Sequence, residues 1–142
     1  MLSMRCAGDG RMLIVDASCL AEVLVNGLHS EAVRQAMLSD TDLVAPHVID
    51  AEVLGTIRFL YLRGYLDGTA AYQAVEDLRS WPGDRFGHRL LVERAWELRD
   101  TVRSWDALYV ALAELTGSAL ITLDLRLARA PGPRCDIRVV SP

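Results

Sequence analysis

The chain has 142 residues, 51% hydrophobic and 24% charged, with a formal net charge of −4. That length suits one domain with a sizeable core, and the balance is that of a globular protein, not a disordered one. No apolar run approaches the roughly 20 residues of a membrane span, and residues 1–11 lack the apolar stretch of a secretory signal, so a cytoplasmic location without a membrane partner is expected.

In chain order, MLIV at 12–15 reads as a buried strand ending at Asp16, and 17–27 continues as a helix with Leu20, Val23 and Leu24 on one side. EAVRQAMLS forms a short amphipathic helix, followed by a brief apolar piece at Leu43–Ala45. Pro46 suits the first turn of a new helix, which HVIDAEVLGTIRFLYLRG carries to a glycine stop at Gly64. Asp67 and Gly68 open another helix through about Arg79. SWPGDRFG is a loop or an irregular strand. Residues 88–102 and 104–116 read as two consecutive helices, the second capped by Ser104. ALITLD at 119–124, a helical turn, and IRVV at 137–140 return to β structure. Residues 1–11 are expected to be an unpacked extension ahead of a single domain over 12–142.

All 15 basic residues are arginine. Chemistry that needs lysine, such as a P-loop phosphate clamp or a Schiff base, is therefore excluded. The net acidity argues against general affinity for nucleic acid, though not against a local groove lined by arginines. Cys6, Cys19 and Cys135 are widely spaced and never form CxxC, so neither a disulfide framework nor a structural zinc site is indicated; Cys19 and Cys135 read as small buried hydrophobes.

Near-continuous apolar strands alternating with helices indicate an α/β fold with a parallel sheet covered on both faces, whose functional groups gather at the carboxyl ends of the strands. Two strands end in an acid, at Asp16 and Asp124. Glu52 falls on an apolar helix, on nearly the same face as Val48 and Phe59. Asp106 occupies the first turn of an otherwise apolar helix. Singly, Asp16 and Asp124 are explained as helix caps and Asp106 as an acid favoured by the helix dipole. Glu52 gains nothing from capping. A hard divalent cation held by oxygen ligands gives one reason for all four to occur together.

The ordered set IVDASCL, APHVIDAEVL, WDALYVALAE and ITLDLRLA resembles the PIN domain, in the form found in VapC-type toxins of bacterial toxin–antitoxin pairs, from about residue 12 to the C-terminus. The resemblance implies a three-layer α/β/α fold around a mainly parallel central sheet, Mg²⁺ or Mn²⁺ dependence, endoribonuclease action on RNA, a VapB-like antitoxin partner and a homodimer. Carried over by position, the metal-binding and catalytic acids are Asp16, Glu52, Asp106 and Asp124. Ser18 and Thr122 fall where the family often has a supporting hydroxyl. Two departures stand out. Leu125 and Arg126 follow Asp124 where relatives often carry a further acid, which leaves a second metal position open, and Trp105 precedes Asp106.

RNA would have to be gripped by arginines, because their planar forks pair with phosphate and stack on bases. Arg94, Arg99 and Arg103 precede Asp106, and Arg126 and Arg129 follow Asp124. Trp81, Trp96, Trp105 and the FLYL segment beside Arg63 read as core or dimer surface, and His29, His47 and His88 as surface or packing residues. Two other classes stay open on the residues alone: a PIN-like binding module without activity, and a metal-dependent phosphoesterase or DNase.

Overall fold

A computed structural model describes residues 11–38 and 42–141. Residues 1–10 of the extension expected at 1–11, Cys6 among them, lie outside the described residues. The elements in order are β1 (Met12–Val15), α1 (Ala17–Leu24), α2 (Ser30–Leu38), β2 (Asp42–Pro46), α3 (Val48–Leu62), α4 (Gly68–Ser80), β3 (Asp84–Phe86), α5 (Val92–Glu97), α6 (Ser104–Thr116), β4 (Ala119–Thr122), α7 (Leu125–Arg129) and β5 (Ile137–Val139).

The strands form one all-parallel sheet in the order β3-β2-β1-β4-β5. β1 lies at its centre, with Ile14 in register with Val44 on one side and Leu120 on the other. Central placement explains its composition: Leu13, Ile14 and Val15 are all buried, because neither face of β1 meets water. Burying each such side chain stabilises the fold by roughly 1.5–3 kcal/mol. The chain winds from β1 outward to β3, then returns across the sheet to β4 and β5. Right-handed crossovers place the helices before and after that return on opposite faces. In agreement, α1, α3 and α4 pack together, whereas α6 lies against β1, β2 and β4 and carries α5. The result is the three-layer α/β/α arrangement expected from the sequence.

Several boundaries differ from expectation for local reasons. Pro46 ends β2 instead of starting the next helix; it pairs with Phe86 of β3, beyond the last residue of β2 that pairs with β1. α1 stops at Leu24 because Asn26 adopts a left-handed conformation, φ 56°. SWPGDRFG contributes the edge strand β3. The helix expected over 88–102 shrinks to α5: Leu91, Leu98 and Val102 are buried at helical spacing, but turns form at 88–91 and 98–102. Ser104 is the first residue of α6, and the extended Arg103 takes the cap position expected of Ser104. Asp67 caps α4 by accepting the Ala70 N–H at 2.8 Å, and Gly64, φ 77°, ends the turn after α3. Among the described residues no helix is long and apolar enough to cross a membrane.

Candidate active site

In a parallel sheet the crevice for a ligand opens where the winding reverses, outside the carboxyl ends of the strands. Here that point lies between β1 and β4. The Asp16 N–H donates to Ile121 O at 3.1 Å, carrying the ladder one residue past β1. Asp16 is only 5% exposed. Its Oδ2 accepts hydrogen bonds from Ser18 Oγ and Thr122 Oγ1, both at 2.7 Å. The same two hydroxyls accept in turn from backbone amides just after β4: Leu123 N–H to Ser18 at 3.1 Å and Asp124 N–H to Thr122 at 3.0 Å. Each hydroxyl therefore relays a main-chain donor onto the carboxylate and ties the end of β1 to the end of β4. Burial pushes the Asp16 carboxyl above the ordinary aspartate range; the two hydroxyls and the Ala17 amide oppose this, and the Asp124 charge adds to it. Asp16 makes no capping hydrogen bond to α1, so capping does not explain it.

Glu52 reaches the crevice from α3. The buried stripe of that helix is Ile49, Val53 and Ile57, and Phe59 is exposed, so Glu52 stands beside the apolar stripe and not on it as the spacing suggested. Its Oε1 accepts from Tyr109 Oη at 3.0 Å. Burial pushes its carboxyl up to about 7; the Tyr109 bond works against the rise, and the charges of Asp16 and Asp106 add to it. Asp106 sits in the first turn of α6 with Arg103 Nε 3.7 Å from its Oδ2. Its carboxyl is likewise raised by burial first and then by Asp16, with Arg103 opposing. Asp124 caps α7, its Oδ1 accepting the Arg126 N–H at 2.8 Å, and Arg126 Nε lies 3.6 Å from the same oxygen. The cap reading thus holds for Asp124.

The fold brings acids from distant parts of the sequence into electrostatic reach of Asp16: the Asp124 charge raises its pKa, the Asp16 charge raises those of Glu52 and Asp106, and Asp106 also feels Asp124. Among the described residues no three His, Cys, Asp or Glu side chains converge into a ready-made ion cage. The donor chemistry nevertheless suits a hard cation. The acids offer carboxylate oxygens alone, and a cation would relieve the burial and repulsion that raise three of them. Cys19 is no competitor, because burial pushes its thiol up to about 12 and keeps it protonated.

Tyr109 is the site residue that the motifs did not single out. It is fully buried, and burial together with Glu52 raises its phenol further, so the hydroxyl keeps the proton it donates. One signal was present: a lone phenol in an aliphatic helix, three residues after Asp106 and so on the same side of α6.

The arginines divide. Arg94 is engaged elsewhere, since its guanidinium grips Glu114 at 2.8 Å, Glu97 at 3.0 Å and Gly132 O at 2.9 Å, which removes it from the RNA-facing set. Arg99 lies over the Trp96 ring, 4.6 Å from its centroid, and Arg129 is exposed in the last turn of α7. Arg103 and Arg126 are the two that flank the acids. Trp96 is 67% exposed and Trp105 60%, so neither is core. Cys135 is half-buried, and lines a surface groove of about 670 Å³ at the amino ends of β4 and β5 that holds none of the four acids. His47 is exposed, and His88 Nε2 accepts the Val48 N–H at 3.0 Å, a packing role as expected.

A model of the PIN domain family matches residues 13–133. Ribonuclease VapC3 of Mycobacterium tuberculosis is 41% identical over 118 residues, covering 83% of this chain and 86% of the relative. Ribonuclease VapC1 of the same species is 37% identical over 128 residues, 89% of this chain and 96% of its own length. VapC ribonuclease Mb0985 of Mycobacterium bovis is 34% identical over 129 residues, 91% of this chain and 98% of the relative. With the family model spanning residues 13–133 and likeness to ribonucleases of this kind running over most of its length, the chain belongs to the PIN-domain family, in its VapC-type branch.

Proposed function

We propose that this protein is a Mg²⁺-dependent endoribonuclease, the toxin of a toxin–antitoxin pair, acting in the cytoplasm as a homodimer restrained by a VapB-like antitoxin. The reading rests chiefly on Asp16, a carboxylate buried at the switch point, held by two hydroxyls that relay main-chain amides, and facing the charges of its acidic neighbours. The names of the relatives, ribonucleases of the VapC type, support RNA as the substrate class, and the antitoxin partner follows from the resemblance to VapC-type toxins.

Asp16, Glu52, Asp106 and Asp124 would hold Mg²⁺ or Mn²⁺, which supplies charge that acidifies water and stabilises negative charge on a phosphodiester. The protein's own groups do the rest. Ser18 and Thr122 fix Asp16 through Oδ2. Tyr109 Oη stays protonated, donates a hydrogen bond to Glu52 Oε1 and so sets the orientation of that carboxylate. Arg103 and Arg126 offer cationic guanidinium groups to phosphates that would otherwise be repelled by the acids.

The test is cleavage of total RNA with Mg²⁺ by wild type and Asp16→Asn, with the cut ends sequenced, alongside DNA and a simple phosphodiester. Discrete RNA cuts that vanish in the variant are expected. Equal cleavage by both proteins would sink the mechanism, as would preference for DNA or the simple ester.

A further inference from the structure

Trp105 has no part in the site chemistry above, yet it adjoins it. α6 is buried almost throughout from Ala107 to Ala113, whereas Trp105 in its first turn is 60% exposed. Helical side chains lean toward the N-terminus, and residues three and four apart share a side. Trp105 and Asp106 are consecutive in the first turn of α6, four and three residues before the Tyr109 that reaches Glu52, so the exposed indole adjoins the helix turn that carries two of the site residues. Trp81 has Arg85 over its ring at 4.9 Å and Trp96 has Arg99 at 4.6 Å. Among the described residues no ring or guanidinium covers Trp105. Two residues before it in sequence, the Arg103 side chain is 75% exposed and 3.7 Å from Asp106, and the Arg126 side chain is 82% exposed and 3.6 Å from Asp124.

An uncovered indole next to Asp106, with the exposed guanidinium groups of Arg103 and Arg126 each beside one of the acids, matches one kind of occupant, an unpaired nucleobase followed by its phosphate. Every base has a π-face that stacks on an aromatic ring, and an arginine fork binds the adjoining phosphate. We infer that Trp105 is a base-stacking platform, with Arg103 holding the neighbouring phosphate, and that it selects the unpaired base presented beside the scissile bond. This rests on the ribonuclease reading and deepens it.

The experiment compares wild type, Trp105→Ala and Trp105→Tyr on an RNA hairpin with an unpaired loop, together with indole quenching on titrating the same hairpin into Asp16→Asn and Asp16→Asn/Trp105→Ala. Stacking predicts a KM raised about tenfold or more by Trp105→Ala with kcat little changed, near-normal behaviour of Trp105→Tyr, and quenching that disappears with Trp105. Unchanged KM and cut sites in Trp105→Ala overturn the inference and leave the ribonuclease reading standing. A fall in kcat alone also overturns it, because it marks a disturbance of Asp106. A change in sedimentation on Trp105→Ala with unaltered RNA binding assigns the indole to a protein contact instead. Failure of the wild type to cut RNA at all removes both readings.

Discussion

Replacing Glu52 with Gln should stabilise the metal-free protein at high pH. The carboxyl rises from 4.5 to about 7 on folding, mainly because α3 buries it and secondarily because Asp16 and Asp106 repel its charge. A tenfold change in proton affinity corresponds to about 1.36 kcal/mol, so the full rise corresponds to roughly 3.4 kcal/mol. Glu52 is only partly buried, and solvent screening brings a realistic value down to about 1–2 kcal/mol. The folded pKa lies above the unfolded one, so the stability linked to this group is fully present below pH 4.5 and is lost as pH rises through 7. Gln keeps an oxygen for the Tyr109 hydroxyl and never ionises. In urea unfolding with a chelator, Glu52→Gln should match wild type at pH 4.5 and exceed it by about 1–2 kcal/mol at pH 8. Tyr109→Phe, which removes the bond favouring the charged form, should steepen the wild-type loss. Added Mg²⁺ should stabilise wild type more than Glu52→Gln, since a ligand stabilises the state that binds it. An advantage of Glu52→Gln that is the same at both pH values, or a deficit at pH 8, would refute the reasoning.

Thr122→Val removes a hydroxyl that donates to Asp16 and accepts from the Asp124 amide, leaving the buried carboxylate with Ser18 alone on Oδ2 and a part-buried amide without this acceptor. It should cost about 2–3 kcal/mol in urea unfolding and suppress RNA cleavage, and an unchanged unfolding midpoint would count against the relay. His88 has its pKa lowered by burial and by His47, and its neutral ring accepts the Val48 N–H. Its stabilising contribution should therefore be intact above pH 6.5 and be lost as pH falls through the lower folded value, so the difference between wild type and His88→Gln should shrink from pH 7.5 to 5.5. Arg94→Ala breaks the tie from α5 to Glu114 and Gly132 and should cost about 1–2 kcal/mol, while the KM for RNA stays unchanged. A raised KM with normal stability would return Arg94 to the substrate path.

Much of the architecture was legible in the sequence because it depends on local period. Leu13, Ile14 and Val15 are apolar in succession since β1 is covered on both faces there, and the alternation of such runs with amphipathic helices announces a parallel sheet. The ends of those runs marked Asp16 and Asp124, and the helical segments carried Glu52 and Asp106. Where local signals compete, tertiary contacts chose. Pro46 suits a helix start equally well until pairing with Phe86 makes it the end of a strand. The period over 88–102 reported correctly that Leu91, Leu98 and Val102 face the core, yet could not show that turns replace the helix around α5.

The sequence by itself determined which residues are apolar or charged and on which side of their own element they fall. Only the tertiary structure decided their neighbours. Strand order 3-2-1-4-5 brings Thr122 to Asp16 across 106 residues and Tyr109 to Glu52 across 57, and no local pattern encodes either pair. The same packing drew Arg94 into Glu114 and left Trp105 exposed next to Asp106. The physical reason is that a side-chain period reports burial, which each segment carries in itself, whereas a hydrogen bond or a displaced pKa depends on the distance between segments and exists only once the sheet has closed the path between them.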